Sequence, residues 1–188
     1  MIFLIRHTKP ATPARTCYGQ TDVALDSSHE QERKAIIKKL GDITFDEIHT
    51  SPLTRCKTLA LAMPNNVDAK FHEDPRLMEL NFGNWELKPW DDINLVEMTT
   101  WCNNFIENAI PGGESFNEMY SRVMESWEEI SQNHEKNIAI VCHAGTIRVI
   151  LSKLLDIPLS KVFNVQLFYG QIVKLQRTSH DNWLVTFM

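Results

Sequence analysis

The sequence opens with a short apolar run that ends abruptly in two chemically active side chains. Ile2-Phe3-Leu4-Ile5 is typical of a strand buried on both faces, as in the centre of a parallel sheet. Arg6 and His7 follow at once, so this strand would deliver a guanidinium and an imidazole to its carboxyl end. Ligands bind at this end of the strands in open α/β sheets. A strand that simply finishes in polar residues is the plainer interpretation, and the rest of the sequence has to decide.

A second apolar run repeats this arrangement late in the chain. Ile138–Cys142 predicts another buried strand, His143 follows it directly, and a helix is predicted over residues 146–155. Because the carboxyl ends of neighbouring parallel strands meet at the same edge of a sheet, we expect His143 to lie close to His7.

Between these two runs, residues 45–50 form a weaker candidate strand that leads into a helix. Ser51 is predicted as its N-cap and Pro52 as its first residue, where the missing N–H costs nothing. Arg55 would then lie in the first turn, where the helix dipole favours an anion over a cation. A bound phosphate would relieve this conflict, and a surface ion pair with a nearby acidic side chain is the alternative.

The remaining signals complete an α/β pattern. Ser115 and Glu118 form a capping box ahead of a long apolar stripe, which is the most regular helix signal in the chain. The other predicted elements are helices over residues 29–40 and 93–108 and strands over residues 171–176 and 184–187. Because strands and helices alternate, we predict a three-layer α/β/α sandwich with a mostly parallel sheet.

Two stretches without regular periodicity carry polar side chains suited to a ligand. The long connection over residues 9–28 contains Tyr18 and Gln20, for which substrate contact and loop packing are equal alternatives. Residues 74–90 are predicted to cross the surface as a loop. Within this loop, Glu79 lies between two apolar residues, where partial burial would raise the pKa of a carboxyl group toward the value that a general acid needs.

The composition excludes several classes of protein. A length of 188 residues with 43% hydrophobic and 23% charged residues is typical of a soluble globular protein, and residues 1–188 are predicted to form a single domain. No apolar run is long enough to span a membrane, and the N-terminal run is too short for a signal peptide. Four scattered cysteines without a CxxC pair predict reduced thiols and a cytoplasmic location. The net charge of −5 argues against a nucleic-acid partner.

The predicted sheet brings two guanidinium groups and two imidazoles into one crevice. They belong to Arg6, Arg55, His7 and His143. Two guanidinium groups suit bidentate binding of a phosphate. A histidine that faces this phosphate in line can act as a nucleophile.

Five segments resemble, in order, the motifs of the histidine phosphatase superfamily, which has the phosphoglycerate-mutase-like fold. They are Arg6-His7-Thr8, Ser51-Pro52-Leu53-Thr54-Arg55-Cys56, residues 77–86, Pro111-Gly112-Gly113-Glu114-Ser115 and residues 141–148. Each motif is weak by itself, and their order along the first 150 residues carries the resemblance.

The resemblance implies a phosphomonoesterase that acts through a phosphohistidine intermediate. His7 would be the phosphorylated nucleophile, kept neutral by the cations around it. Arg6, Arg55 and His143 would hold the phosphoryl oxygens. Glu79 would protonate the leaving oxygen and then take a proton from the attacking water. The substrate would be a small phosphorylated metabolite, no metal or cofactor is required, and no oligomeric state is predicted.

Within the superfamily, residues 17–25 resemble the α-ribazole phosphatases, which remove the 5′-phosphate of α-ribazole in cobalamin biosynthesis. The alternatives are a phosphatase of another small metabolite, a phosphoglycerate mutase, a binding module without turnover, and a metal hydrolase that uses His7 and His143. Thr8 and His29 stand where the family usually has glycine, and neither departure removes a catalytic side chain.

Overall fold

The computed structural model describes residues 1–133, 135–180 and 182–188, which fold around a six-stranded sheet. The strands are β1 (Ile2–Arg6), β2 (Phe45–Thr50), β3 (Asn65–Glu73), β4 (Ile138–Cys142), β5 (Ile172–Arg177) and β6 (Trp183–Phe187). The α-helices are α1 (His29–Leu40), α2 (Thr54–Ala60), α3 (Leu95–Asn103), α4 (Phe116–Ser131) and α5 (Ala144–Leu154). Across these described ranges, no helix combines the length and the apolar character needed to cross a membrane.

The sheet has the strand order β3-β2-β4-β1-β5-β6. β4 pairs in parallel with β1 and with β2, and β3 pairs in parallel with β2. β5 and β6 complete the sheet as antiparallel strands. The predicted mostly parallel sheet is therefore confirmed, with β1 and β4 as its buried centre.

Helices cover both faces of the sheet, because successive side chains of a strand point in opposite directions. Ile2 and Leu4 of β1 pack in one apolar cluster with side chains of α4 and α5. Phe3 and Ile5 pack in a second cluster with side chains of α1 and α2. All four side chains are fully buried, each contributing roughly 1.5–3 kcal/mol relative to an exposed position. The three-layer α/β/α prediction is confirmed.

The edge strand β3 was not predicted from the sequence. Its polar sequence shows neither alternation nor an apolar run, and eight of its nine residues are exposed. Residues 74–90, predicted as a surface loop, instead contain two short 3₁₀ helices and the first residue of a third, and they bury Leu77, Leu80 and Trp85. Pairing with β2 and packing against the core, rather than local patterns, shape this part of the chain.

Several helix boundaries also differ from the prediction. α2 begins at Thr54 with Leu53 in the cap position, so the N-cap assigned to Ser51 was wrong. The Ser51 hydroxyl lies instead against His143. The helix predicted over residues 93–108 extends only over α3. The capping box of Ser115 at the start of α4 is confirmed.

Candidate active site

The carboxyl ends of β1, β2 and β4 meet at one edge of the sheet, as the sequence predicted. His7 follows β1 and His143 follows β4, and the backbone N–H of His7 donates to the Cys142 carbonyl at 3.0 Å. The two imidazole rings lie edge to face with their centroids 5.1 Å apart. Two segments 136 positions apart in the chain therefore form one site.

His7 is held as a neutral imidazole with a defined tautomer. It is 1% exposed, and its Nδ1 lies 2.7 Å from the Thr8 carbonyl oxygen. Because a carbonyl can only accept, Nδ1 carries the proton and Nε2 keeps its lone pair. Burial, followed by the charges of Arg55 and Arg6, lowers the pKa of His7 well below its ordinary value. The expected effect of the cations is present, but burial contributes more.

Arg6 lies beside His7 and retains an unused donor. Its Nη1 donates to the Leu167 carbonyl at 2.6 Å, and its guanidinium lies 4.0 Å from the centroid of the Tyr169 ring. Its buried Nε has no hydrogen-bond partner among the described residues. Such a donor suits an anionic ligand oxygen.

Arg55 is completely buried, so the surface ion pair considered for it was wrong. Its guanidinium donates to the carbonyls of Gly19 and Thr21, and its Nε lies 3.4 Å from Nδ1 of His143. The long loop over residues 9–28 thus fixes this cation through backbone carbonyls.

His143 has protein partners at both ring nitrogens. Nδ1 accepts from Arg55, so Nε2 carries the proton and donates to the Ser51 hydroxyl at 2.8 Å. Burial, then the charges of Arg55, His7 and Arg6, lowers the pKa of His143 well below its ordinary value. In this arrangement His143 orients Arg55 near His7, and direct contact of His143 with a phosphoryl oxygen stays a prediction.

Glu79 reaches the amino terminus of α5. Its carboxylate accepts from the backbone N–H of Gly145, at 3.1 Å to Oε1 and 3.2 Å to Oε2, and from the N–H of Leu80 at 3.0 Å. A Cβ atom at position 145 would overlap Oε1, so this approach requires glycine. Glu79 is half-buried, as its neighbours in the sequence suggested.

Tyr18 and Gln20 occupy different surroundings. The Tyr18 hydroxyl lies 2.7 Å from that of Tyr169, and burial together with this contact raises the pKa of Tyr18. The side-chain amide of Gln20 donates to the Glu79 carbonyl at 3.1 Å. Tyr18 also lines the cavity of this site, whereas Gln20 supports the backbone of Glu79, and substrate contact by either residue remains a prediction.

A cavity of about 170 Å³ opens in front of these groups. Arg6, His7, Tyr18, Glu79 and Arg148 provide its polar lining, and the rings of Phe82, Phe116 and Phe163 provide most of its apolar wall. The cavity thus combines a neutral imidazole, a carboxylate and guanidinium groups, which is the equipment for phosphoryl transfer.

The sequence matches the family model described as "Histidine phosphatase superfamily (branch 1)" over residues 2–188. This chain belongs to the histidine phosphatase superfamily. The predicted family is confirmed, together with the phosphatase class of chemistry that goes with it.

Individual relatives and a solved structure agree with this assignment. The histidine phosphatase is 25% identical to an adenosylcobalamin/alpha-ribazole phosphatase of Escherichia coli over 175 residues, covering 90% of this chain and 86% of that protein. It is 24% identical to phosphoserine phosphatase 1 of Hydrogenobacter thermophilus over 168 residues, covering 87% and 80%. The structure of an alpha-ribazole phosphatase from Shigella flexneri superposes with a TM-score of 0.89 at 21% identity, covering 100% of this chain and 95% of that chain. This superposition confirms the predicted phosphoglycerate-mutase-like fold.

Three residues of this histidine phosphatase were given no role by the sequence analysis. Arg148 lines the cavity, its Nε donates to the Val165 carbonyl, and burial lowers its pKa. Tyr169 lies beneath Arg6 and 5.7 Å from the His7 ring. Arg122 donates to the carbonyls of Arg76, Met78 and Glu79 and pairs with Glu114 at 2.5 Å. The sequence signalled only Arg148, which lies in the quoted motif over residues 141–148.

The two departures from the family pattern near His7 contact each other. The Thr8 hydroxyl lies 2.7 Å from Nδ1 of His29, and both side chains are buried. The contact with His29 therefore helps to hold Thr8, whose carbonyl accepts the Nδ1 proton of His7 and sets the tautomer of that ring.

Proposed function

We propose that this protein is a phosphomonoesterase that transfers a phosphoryl group first to His7 and then to water. The proposed substrate is a small phosphorylated metabolite, with α-ribazole 5′-phosphate as the first candidate. The observation that carries the proposal is the neutral imidazole of His7, which is within electrostatic reach of Arg6 and Arg55 and lines a cavity together with the Glu79 carboxylate.

Positive charge supports the binding step. Arg6 lines the cavity, and Arg55 adds a second cation within the electrostatic reach of His7. Phosphoryl transfer depends mainly on positioning and on charge stabilisation of the equatorial oxygens. Fixed guanidinium groups provide both.

In the first half-reaction, Nε2 of His7 attacks phosphorus and the bond to the leaving oxygen breaks. Glu79, in its acid form, transfers its proton to that oxygen, and the alcohol departs. The Thr8 carbonyl keeps its hydrogen bond with Nδ1–H and stabilises the positive charge on the phosphorylated ring.

In the second half-reaction, water attacks the phosphohistidine. The Glu79 carboxylate takes a proton from this water, the bond between phosphorus and Nε2 breaks, and inorganic phosphate leaves. His7 is again neutral and Glu79 is again an acid, so the cycle closes.

The cavity favours a small ester with an apolar part. Its volume of about 170 Å³ is below the roughly 300–1,000 Å³ typical of pockets that enclose a drug-sized ligand, so a larger leaving group must extend through the mouth. The wall of Phe82, Phe116 and Phe163 suits the aromatic base of α-ribazole. The name of the Escherichia coli relative points to the same substrate.

Arg148 favours a second candidate, a phosphomonoester with a carboxylate in its leaving group, such as phosphoserine or 3-phosphoglycerate. Its Nε is bonded to a carbonyl, which leaves the terminal amino groups for a carboxylate at the cavity. The name of the Hydrogenobacter relative is consistent with this candidate.

One experiment tests the activity and ranks these substrates. Phosphate release is measured side by side from α-ribazole 5′-phosphate, phosphoserine, 3-phosphoglycerate and p-nitrophenyl phosphate, with wild type and with Arg148→Leu. We expect the highest kcat/KM for α-ribazole 5′-phosphate, with Arg148→Leu selectively slowing the two carboxylate substrates. Exchange of phosphate between phosphoglycerates without net release would indicate a mutase, and no turnover of any ester would overturn the proposal.

The donor set argues against a metal hydrolase built on His7 and His143. One nitrogen of His7 donates to a carbonyl, both nitrogens of His143 have protein partners, and Arg55 lies beside them. A divalent ion would meet cations where it needs carboxylates. We expect phosphate release to continue in excess EDTA.

A further inference from the structure

A group of metal-ligating side chains lies outside the phosphatase site. Among the described residues, Glu47, His49 and His72 each offer one ligand atom, and these atoms lie within 4.8 Å of one another. They line a separate cavity of about 490 Å³ at the edge of the sheet.

The sheet itself brings these side chains together. Glu47 and His49 are two positions apart on β2 and therefore point to the same face. His72 of β3 is the direct register partner of His49. The two imidazole rings stack with centroids 4.7 Å apart and an angle of 19° between their planes.

The chemistry of the group matches a divalent transition metal. Two imidazoles and one carboxylate are a ligand set of zinc sites that keep a fourth position open. Oε2 of Glu47 lies 3.4 Å from Nε2 of His49. Two donors of one tetrahedral ion are also roughly 3.4 Å apart, given metal–ligand bonds of about 2.1 Å. The three ligand atoms lie within 4.8 Å of one another, and because His72 is exposed its imidazole can rotate toward the other two side chains.

The charges around the group leave one carboxylate oxygen for an ion. Lys136 contacts Oε1 of Glu47 at 2.6 Å, which orients the carboxylate with Oε2 toward His49. Arg76, another cation on the cavity wall, is itself paired with Asp74 and Glu129.

We propose that Glu47, His49 and His72 bind a divalent transition-metal ion, with Zn²⁺ as the first probe. Among the strands that the structure describes, β3 forms the end of the sheet and pairs only with β2. The ion would tie this edge strand to β2, whose next residues lead to Ser51 in the phosphatase site. Because it binds only the folded chain, the ion raises thermal stability with its concentration.

The test measures binding of Zn²⁺ to the EDTA-treated full chain by calorimetry and binding of Co²⁺ by visible absorption. We expect one equivalent to bind, with intense bands typical of tetrahedral Co²⁺. In His72→Ala and in His49→Ala the affinity falls on the order of 100-fold. Zn²⁺ raises the Tm of wild type but not of His72→Ala.

Three matched variants separate this site from other ligands. Cys102→Ser removes an exposed thiol, and His180→Ala removes an exposed histidine elsewhere. His7→Ala removes a histidine of the phosphatase site that could itself bind Zn²⁺. All three are expected to bind Zn²⁺ as wild type does. Because His72 is exposed, its variant is expected to fold, and circular dichroism checks this.

Two outcomes overturn the inference. One is an affinity of wild type for Zn²⁺ no higher than that of His72→Ala, which includes the absence of binding. The other is loss of the bound ion in Cys102→Ser or His7→Ala while His72→Ala retains it.

Discussion

His7 and His143 lie edge to face, with ring centroids 5.1 Å apart, and burial together with neighbouring guanidinium groups lowers the pKa of both rings. Their hydrogen bonds differ, however. His7 uses one nitrogen and keeps the lone pair of the other, whereas both nitrogens of His143 have protein partners. Of the two rings, His7 therefore has a nitrogen lone pair for a ligand, whereas His143 is held by its protein partners. We expect substitution of the two residues to have different effects.

The first prediction concerns the covalent intermediate. His7→Ala removes the only proposed acceptor of the phosphoryl group, so turnover falls by roughly 10³-fold or more. Rapid acid quenching with a radiolabelled ester should trap phosphoenzyme in wild type and none in His7→Ala. His143→Asn keeps the acceptor and should still be labelled, at a lower rate. Full activity of His7→Ala would eliminate the phosphohistidine mechanism.

The second prediction concerns proton transfer by Glu79. Glu79→Gln should bind substrate nearly as well as wild type but lower kcat by about 10²–10⁴-fold, because the amide neither gives nor takes the proton. Phosphorylation by p-nitrophenyl phosphate should suffer less, since its leaving group needs no proton. A burst of p-nitrophenol, followed by slow turnover, is the expected signature.

Glu128→Gln is the matched control for this change, because Glu128 is exposed on α4, outside the cavity lining. This control variant should hydrolyse both α-ribazole 5′-phosphate and p-nitrophenyl phosphate at the wild-type rate. If Glu79→Gln hydrolysed α-ribazole 5′-phosphate, whose alcohol leaving group needs a proton, at the wild-type rate, another group would have to supply that proton.

The third prediction compares two glycines, one that is needed to avoid a steric overlap and one that is needed for its positive φ. In Gly145→Ala the new methyl group overlaps the Glu79 carboxylate and displaces it, so kcat/KM should fall by about 10²-fold. Gly41 ends α1 with φ +62°, and a methyl group added there would have no neighbour within 4 Å among the described residues. Gly41→Ala should therefore cost about 1 kcal/mol of stability and leave kcat/KM unchanged. Equal activities of the two variants would contradict the assigned position of Glu79.

The fourth prediction concerns the buried contact between Thr8 and His29. Each single variant, Thr8→Ala or His29→Ala, leaves one buried polar group without its partner and should cost about 1–3 kcal/mol of unfolding free energy. In the double variant neither group is left unpaired, so the loss should be smaller than the sum. Urea unfolding of the four proteins measures the coupling, and additive losses would show that the contact contributes nothing.

The sequence predicts the centre of this fold because local patterns and packing agree there. β1 and β4 are apolar runs buried on both faces, and each is followed by a histidine. Connection rules for parallel strands then place His7 beside His143 without knowledge of any other contact. The capping box at Ser115 is equally local, and it too was identified correctly.

The periphery depends on contacts that no local pattern encodes. β3 is polar and exposed, so only its pairing with β2 makes it a strand, and without that strand His72 cannot be placed beside His49. Tyr169 lies in a turn far from any motif. Arg122 lies on α4. The apolar stripe of that helix predicts which of its residues are buried, but it does not predict the hydrogen bonds of Arg122 to three carbonyl groups.

The fifth prediction follows from the pKa values of the two buried histidines. Both lie well below the ordinary value of 6.5 in the folded chain, whereas in the unfolded chain they return to it. At pH values between the folded and the unfolded pKa, the unfolded state binds protons that the folded state does not. The contribution of the two histidines to the free energy of unfolding is therefore fully present above about pH 6.5 and decreases as the pH falls. Each histidine contributes a slope of up to about 1.4 kcal/mol per pH unit.

His49, whose pKa burial also lowers, acts in the same range, so differences between variants are the informative quantity. Urea unfolding between about pH 5 and pH 7 should show a shallower slope in His7→Asn and in His143→Asn than in wild type, and shallower still in the double variant. Identical slopes in all four proteins would mean that these rings bind protons equally in the folded and unfolded chains.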